Sequence, residues 1–318
     1  MLNNPKVVIV NAAKMNYDEL LDFSVCSEDT AVYANSTTEE FLERIKDADA
    51  VVTKEYPVTK ELFAGFPDSV KLLVEAGTGY NNIDLAAARE HGITVCNIPA
   101  YSSERVAQTA IMFMLNLAST MQVQLRMLER GDRRNFHEHL LVPHVELNGK
   151  TLGLIGCGGI GSETAKIAHA MGMNILIYKR HPGEDSDGIH YTDLETLLKN
   201  SDFVSLHCPL NAETRHMIGS EQLAMMKKSA FIINTARGAL IDEQALIEAL
   251  QKGIIAGAGL DVQETEPPVD DNPLYDMENV IMTPHMGWKG LETRQRLVSI
   301  IAEDIHSYFA GNPVNVVS

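Results

Sequence analysis

Thr151–Pro182 reads TLGLIGCGGIGSETAKIAHAMGMNILIYKRHP, and this stretch decides the fold. An apolar strand pattern leads into Gly156-x-Gly158-x-x-Gly161, and an amphipathic helix pattern and a second apolar strand follow. The first glycine permits a tight strand-to-helix turn, the second lets the backbone approach a phosphate, and the third lets the helix pack on the sheet. Because the positive helix N-terminus faces the anion, this order predicts a binding site for the pyrophosphate of a dinucleotide.

The second strand of this stretch ends in a basic pair, Lys179-Arg180. An acidic residue that accepts from the ribose 2′-OH of NAD is usual at about this distance, roughly 20 residues after the glycines. An acid there also repels a 2′-phosphate, whereas Lys and Arg attract one. The pair therefore predicts NADP(H) as the favoured cofactor, with NAD(H) as the other choice. The alternative is that the pair is only a solvated strand end.

Composition limits the class of protein. The 318 residues are 45% hydrophobic and can bury a sizeable core, and no apolar run approaches the ~20 residues that span a bilayer. The N-terminus enters a strand pattern at once and shows no secretory signal, so we expect a cytoplasmic protein. A net charge of −17 argues against nucleic acid and anionic membranes as partners. The four scattered cysteines are expected to be reduced thiols.

Strand and helix patterns alternate along most of the chain, which predicts parallel α/β architecture. The first part holds the strand candidates KVVIV, AVVT, KLLVEAG and ITVCN, and the second holds TLGLIG, NILIY, DFVSLH, AFIINTA, IAGAGLD and VIMTP. One long helix is predicted over 103–129, and another over 291–310. We predict two doubly wound domains with a cleft between them. They are a flavodoxin-like substrate domain (1–100 and 289–318) and a Rossmann cofactor domain (101–288).

Three segments that follow strands of the second part carry polar side chains: NTARG at 234–238, DVQETEP at 261–267 and TPHMGW at 283–288. Ligands of parallel sheets bind outside the carboxyl ends of the strands, so we expect an arginine, a carboxylate and a histidine to meet there. Arginine binds carboxylates and polarises carbonyls, and histidine exchanges protons near neutral pH. The set suits hydride transfer to a 2-keto acid.

The chain resembles the D-isomer-specific 2-hydroxyacid dehydrogenase family, which includes D-glycerate dehydrogenases and hydroxypyruvate/glyoxylate reductases. The resemblance runs from about Lys71 to Arg296. It is carried by EAGTGYNNID, VCNIPAYSSERVAQTA, GLIGCGGIG, LHCPLNAETRHMI, INTARGALIDEQAL, AGLDVQETEPP and TPHMGW. The resemblance implies an NAD(P)-dependent oxidoreductase, usually a homodimer joined through the cofactor domain.

The resemblance also implies a role for each residue of the catalytic set. Arg237 resembles the arginine that binds the substrate carboxylate and carbonyl. His285 resembles the general acid that protonates the carbonyl oxygen, and Glu266 resembles its carboxylate partner. Glu264 and Asp261 lie near Glu266 in sequence, and the position just before Pro267 favours Glu266.

Substrate and cofactor contacts follow from the same motifs. Backbone groups of Ala76, Gly77 and Thr78 are similar to the family's cradle for the substrate carboxylate. Tyr101 and Trp288 are expected beside the substrate, where they favour small acids such as hydroxypyruvate or glyoxylate; Trp288 packing on the C-terminal helix is the alternative. The implied cofactor contacts are Thr109, Gly156, Gly158, Gly159, Ile160, Gly161, Lys179, Arg180, Cys208, Pro209, Thr214, Thr235, Ala236, Asp261, His285 and Gly287.

Two other functions stay open at this point. The same fold serves as a cofactor-sensing corepressor, and short forms of D-3-phosphoglycerate dehydrogenase exist. A metal cluster of His137, His139 and His144 is not favoured, because that stretch lacks partner carboxylates or cysteines in a plausible site. We therefore predict no metal, and a small anionic 2-keto or 2-hydroxy acid as the partner molecule.

Overall fold

Five parallel strands form the first sheet, in the order β2-β1-β3-β4-β5. This order is the flavodoxin-like arrangement, and it confirms the predicted fold of this part of the chain. The sequence prediction missed β2, because its three residues, TAV, are at most half-buried and lack a strong apolar run. The strands are β1 (Val7–Ile9), β2 (Thr30–Val32), β3 (Ala50–Thr53), β4 (Leu72–Glu75) and β5 (Thr94–Asn97).

Four helices accompany this sheet: α1 (Thr38–Arg44), α2 (Lys60–Phe63), α3 (Leu85–Glu90) and the C-terminal helix, here named α11 (Leu291–Phe309). Side chains fix several of their starts. Thr37 and Glu40 form a reciprocal capping box on α1, and Asp84 accepts from the Ala87 N–H on α3. These caps satisfy backbone donors that the first turn of a helix leaves without a partner.

Seven parallel strands form the second sheet, in the order β12-β11-β10-β9-β6-β7-β8. The order reverses direction at β6, the strand before the glycine turn, which confirms the Rossmann prediction. The polar, partly exposed strand IHY at the edge was missed because it has no apolar pattern. The strands are β6 (Thr151–Ile155), β7 (Asn174–Tyr178), β8 (Ile189–Tyr191), β9 (Phe203–Leu206), β10 (Phe231–Asn234), β11 (Gly257–Leu260) and β12 (Val280–Met282).

The single long helix predicted over 103–129 is wrong. The chain forms α4 (Ser103–Ala118) and α5 (Met121–Glu129), whose axes bend by 64° at Thr120, a residue with a left-handed φ of 49°. Within residues 4–318 no single helix is long and apolar enough to cross a membrane, and α4 with α5 pass that test only as this bent pair. The other helices are α6 (Arg134–His137), α7 (Gly159–Ala170), α8 (Leu194–Asn200), α9 (Ser220–Met225) and α10 (Glu243–Gln251).

The computed structural model describes residues 4–318. By its internal contacts the chain divides into a first unit, up to Ser102 with Trp288–Ser318, and a second unit, Ser103–Gly287. Tyr101 and Trp288 thus belong to the first unit, whereas the sequence boundaries placed them in the cofactor domain. Packing explains the difference, because the two rings lie 6.5 Å apart and Arg296 of α11 donates to the Tyr101 carbonyl.

All four cysteines are free thiols. Cys26 and Cys96 are buried, while Cys157 and Cys208 are half-buried. Burial raises the pKa of the Cys26 thiol to about 12, so it stays protonated at neutral pH.

Candidate active site

The glycine turn after β6 has the shape that a dinucleotide needs. Gly156 has a φ of +91°, and a Cβ there would lie 2.7 Å from backbone atoms of His207 and Cys208. A Cβ on Gly161 would lie 2.7 Å from the Gly156 carbonyl oxygen, so only glycine lets α7 pack this close. At Gly158 a Cβ would meet no atom within 4 Å, which leaves space above the N-terminus of α7. That terminus has no side-chain cap and no acid in its first turn. These features fit a pyrophosphate.

The two predicted basic residues, Lys179 and Arg180, come directly after β7, and each has a neighbour that the sequence did not reveal. Arg180 forms an ion pair with Glu213, and both side chains are largely exposed. Lys179 Nζ lies 5.3 Å from the ring centroid of Tyr191 on β8. An acidic residue, Glu213, therefore does lie beside these basic residues, but it belongs to the loop after β9.

That loop contains three more of the predicted cofactor contacts. Thr214 Oγ1 donates to the Pro209 carbonyl at 2.7 Å and accepts from the Asn211 N–H at 2.8 Å, so it holds the loop in shape. Burial raises the pKa of the Cys208 thiol to about 11. His207, one residue earlier, has its pKa lowered to about 4 by burial and lies 2.9 Å from Ser205 Oγ through Nε2. A neutral His207 thus packs beneath the glycine turn.

The loop after β10 holds Arg237 through a close backbone contact. A Cβ on Gly238 would lie 1.9 Å from the Gln263 carbonyl carbon and oxygen, so the two loops touch where only glycine fits. Asn234 accepts from the Ala236 N–H at 3.0 Å and donates to the Arg237 carbonyl at 2.9 Å. Arg237 is half-buried, and its Nη1 donates to the Ala236 carbonyl at 2.7 Å.

Asp261 organises the loop that carries His285. Its Oδ1 accepts from Thr283 Oγ1 at 2.6 Å and from the Met286 N–H at 2.8 Å, while Oδ2 accepts from the Gly287 N–H at 2.7 Å. The His285 N–H donates to the Asp261 carbonyl at 2.8 Å. His285 has a left-handed φ of 49°, which is strained for a residue with a side chain. The Asp261 bonds hold that conformation; the implied contact of Asp261 with the cofactor stays a prediction.

His285 and Glu266 lie in hydrogen-bond contact, with 2.9 Å between Nδ1 and Oε2. Glu266 Oε1 also accepts from the Gln263 N–H at 3.1 Å, which orients the carboxylate. The competing residue Glu264 has its own partner, since its Oε1 lies 2.6 Å from His216 Nε2. The structure therefore pairs His285 with the carboxylate that the sequence favoured.

Two threonines complete this part of the second unit. Thr109 is buried on α4, where its hydroxyl accepts from Arg105 Nη1 at 2.8 Å. A Cβ on Gly287 would lie 3.7 Å from that hydroxyl, so the helix and the His285 loop are neighbours. Thr235 Oγ1 is buried and has no hydrogen-bond partner among residues 4–318, which is costly for a polar atom unless a ligand supplies one. Within the same range, no three potential ligand side chains are placed to hold a metal ion.

In the first unit, the predicted carboxylate cradle is only partly available. The Ala76 N–H donates to the Thr53 carbonyl and the Gly77 N–H to the Glu75 carbonyl, both at 2.7 Å. The Thr78 and Gly79 N–H groups donate to no group within residues 4–318. Of the three predicted residues, only Thr78 thus keeps a backbone N–H that is available to a ligand, and binding of a carboxylate here stays a prediction.

Trp288 and Tyr101 are both buried and meet edge to face in this unit. The ring centroid of Trp288 also lies 4.1 Å from Lys54 Nζ, a neighbour that the sequence did not indicate. Sequence reasoning missed Lys54, Asn234, His207 and Glu213. Lys54 and His207 directly follow strands and Asn234 is the last residue of one, and that position was the available signal; Glu213 had none.

Comparison with known proteins identifies the family. Residues 111–287 match the profile of the D-isomer specific 2-hydroxyacid dehydrogenase, NAD binding domain. The chain is 40% identical over 284 residues to a hydroxypyruvate reductase of Blautia hydrogenotrophica, covering 88% of each chain. It is 45% identical over 282 residues to a D-3-phosphoglycerate dehydrogenase of Methanocaldococcus jannaschii, covering 86% of this chain and 52% of that relative.

A solved structure of a similar enzyme has the same fold as this chain. The crystal structure of a glyoxylate reductase from Paecilomyes thermophila superimposes with a TM-score of 0.85 at 33% identity, covering 99% of each chain. The chain therefore belongs to the D-isomer specific 2-hydroxyacid dehydrogenase family. It is an oxidoreductase whose second unit contains the family's NAD-binding domain.

Proposed function

We propose that this enzyme reduces a small 2-keto acid, hydroxypyruvate or glyoxylate, to the D-2-hydroxy acid, and that it favours NADP(H). The observation that carries the proposal is the His285–Glu266 pair on a braced loop. A proton donor held by a carboxylate is what carbonyl reduction needs beside a hydride source. The names of the relatives support the substrate class.

A nicotinamide cofactor, when bound, would supply the hydride for the carbonyl carbon. Thr235, Gly158 and the N-terminus of α7 would hold the dinucleotide. Arg237 binds the carboxylate and polarises the carbonyl, which prepares the carbon for attack. His285 gives the proton at Nε2 to the carbonyl oxygen, since Nδ1 faces Glu266. Glu266 fixes the ring and stabilises the imidazolium before the proton leaves.

The proposed NADP(H) preference rests on Lys179 and Arg180. A 2′-phosphate carries more negative charge than the single carboxylate of Glu213, so it competes well for Arg180. The Arg180–Glu213 pair is exposed, and exposed pairs contribute only about 0–1 kcal/mol, so its opening costs little. Lys179 and Arg180 are the two residues that follow β7, so both cations are placed at the end of the same strand. Lys179 lies beside the ring of Tyr191.

We also propose that the enzyme is a homodimer joined through the second unit. Exposed apolar side chains are concentrated along α5 and the segment that follows it, which we name the α5 patch. Single exposed apolar residues are ordinary, but a concentration of this kind marks an interaction surface. The patch comprises Met121, Leu125, Leu128, Phe136, Leu140, Leu141 and Val145.

One experiment tests substrate and cofactor together. Initial rates are measured with glyoxylate, hydroxypyruvate, pyruvate, 3-phosphohydroxypyruvate and a branched 2-keto acid, each with NADPH and NADH. We expect the highest kcat/KM for glyoxylate or hydroxypyruvate with NADPH. Preference for 3-phosphohydroxypyruvate would indicate a phosphoglycerate dehydrogenase. If the protein binds NADPH but reduces no 2-keto acid, the proposal is wrong and a cofactor-sensing role takes its place.

A further inference from the structure

Lys54 lies beside the carboxylate cradle of the first unit, although no motif pointed to it. It directly follows β3, and the cradle Ala76–Thr78 directly follows the neighbouring strand β4. The two strands are parallel and in register, with Thr53 opposite Glu75. Asn11 fixes the backbone of Lys54 on both sides, since it donates to the Lys54 carbonyl at 2.6 Å and accepts from the Lys54 N–H at 2.9 Å.

The ammonium of Lys54 is buried, with 3% of the side chain exposed. Its Nζ lies 3.1 Å from Glu55 Oε1 and 4.1 Å from the ring centroid of Trp288. A Cβ on Gly77 would lie 3.1 Å from the same Nζ, so the missing side chain of this glycine leaves the ammonium next to the cradle. An ammonium has three N–H donors, and Glu55 takes one while the Trp288 ring faces the charge.

The Lys54 ammonium keeps its charge in this environment. Burial acts to lower the pKa of Lys54, but Tyr101, Glu55 and Glu75 together raise it above its ordinary value. The nearby carboxylate of Glu75 is occupied by neutral donors, namely Thr53 Oγ1, Asn82 Nδ2 and the Glu55 N–H. Burying a charged pair is weak as a stability device, because desolvation cancels most of the attraction. Binding of an anionic ligand explains better why an ammonium is buried beside the cradle.

The cradle itself calls for such a cation. The N–H groups of Ala76 and Gly77 are used within the protein, which leaves Thr78 and Gly79 as backbone donors. Two backbone N–H groups fill only part of the acceptor sites of a carboxylate and bring no net positive charge, whereas an ammonium supplies both a further donor and the opposite charge.

We propose that Lys54 is a substrate-binding residue whose ammonium, held between Trp288 and Gly77, binds the carboxylate of the 2-keto acid at the cradle. This inference rests on the proposed function for the identity of the acid. It adds a residue that the family motifs in the sequence did not indicate, and it gives Trp288 the role of positioning that cation.

Trp288 is the single tryptophan of the chain, so its fluorescence reports on this place directly. We would titrate glyoxylate into the enzyme saturated with NADP⁺, a complex in which the keto acid binds but has no hydride to accept. The variants are Lys54→Met and Lys54→Gln, which remove the charge and nearly keep the length. The matched control is Lys60→Met, which removes a lysine that pairs with Glu90 on the surface of the same unit.

We expect glyoxylate to change the Trp288 fluorescence of the wild type and of Lys60→Met with the same Kd. In the Lys54 variants the Kd rises at least tenfold, KM rises in parallel, and kcat at saturation falls less than threefold. The Kd for NADP⁺ stays unchanged, which shows that the variants are folded. Lys54→Gln gives the same reading if Lys54→Met does not fold.

A glyoxylate Kd within twofold of the wild type in a folded Lys54 variant overturns the inference. So does a wild type whose Trp288 signal and calorimetric heat do not respond to any 2-keto acid. The two proposals fail separately. Turnover that survives loss of Lys54 removes only this inference, whereas Lys54-dependent binding without any reduction removes only the proposed reaction.

Discussion

His285 Nδ1 lies 2.9 Å from Glu266 Oε2, while Glu264, two residues earlier, lies 2.6 Å from His216 Nε2. Two carboxylates of one short loop thus hold two different histidines. Only one of these histidines stands on the loop that Asp261 braces, beside buried Gly287 and Thr109. This division of partners separates a proposed catalytic pair from a structural one.

Loss of the carboxylate should lower kcat in the His285–Glu266 pair and leave it nearly unchanged in the His216–Glu264 pair. Glu266→Gln should lower kcat by about 10- to 100-fold, because a neutral partner no longer stabilises the imidazolium, and His285→Gln should lower it by about 10²- to 10⁴-fold. The matched control Glu264→Gln changes kcat less than twofold. Steady-state rates with glyoxylate and NADPH measure this. Equal losses from Glu264→Gln and Glu266→Gln would contradict the assignment.

Gly238→Ala tests the contact that places Arg237. The new Cβ would overlap the Gln263 carbonyl at 1.9 Å, so one of the two loops must shift. A displacement of about 1 Å at a reacting group lowers a rate by about 10²-fold, and we expect that loss in kcat/KM. Gly219→Ala is the control, because its Cβ would meet its nearest neighbour at an ordinary 3.6 Å. Unchanged kinetics of Gly238→Ala would show that Arg237 does not depend on this contact.

The proposed preference for NADP(H) predicts how Lys179 and Glu213 affect cofactor binding. Lys179→Asp should raise the KM for NADPH at least tenfold and leave the KM for NADH within threefold, because it removes a phosphate-binding cation and adds a repelling charge. Glu213→Gln should act in the opposite direction by freeing Arg180. KM values for both cofactors measure the effect. Equal responses of NADPH and NADH to Lys179→Asp, or a wild type that prefers NADH, would contradict the predicted preference.

Asp304 makes stability depend on pH. Burial raises its pKa from 3.8 to about 6, and Oδ2 has no partner within residues 4–318. Because the folded-state pKa is raised, its contribution to stability is full below about pH 3.8 and is lost as the pH rises through about 6. Asp304→Asn should therefore gain about 1–2 kcal/mol at pH 8 and nothing at pH 4, an increase in Tm of roughly 2–6 °C. Thermal unfolding at both pH values measures it, with Glu28→Gln, at an exposed acid of the same unit, as the control. An equal gain at both values would contradict the mechanism.

The α5 patch predicts the oligomeric state. Leu125→Glu with Phe136→Ser should convert a dimer to a monomer, because the double variant places a charge and a hydroxyl where apolar surface is expected to be buried. Light scattering after size exclusion measures the mass. Leu20→Glu, an exposed apolar site in the first unit, should leave the mass at two chains. A monomeric wild type would refute the proposed dimer.

Sequence patterns predicted the strongly apolar elements and missed the weak ones. Strands such as VVI and TLGLI are buried along nearly their whole length, so their composition alone marks them. The strands TAV and IHY lie at sheet edges, where one side is exposed and the apolar signal is lost. The bend at Thr120 also escaped prediction, because a helical period continues across it.

The sequence by itself determined the two parallel sheets, the glycine turn, and the choice of Arg237, Glu266 and His285 as the proposed catalytic set. Each of these features depends on residues close together in the sequence, so their spacing can be identified from the sequence alone. Only the tertiary structure decided the environment of the charges. In the folded protein Glu213 forms an ion pair with Arg180, and Glu264 contacts His216. Lys54 is buried next to Trp288 and Gly77. The physical reason is that electrostatic partners and burial are set by distances across the fold, and residues far apart in sequence carry no pattern that encodes those distances.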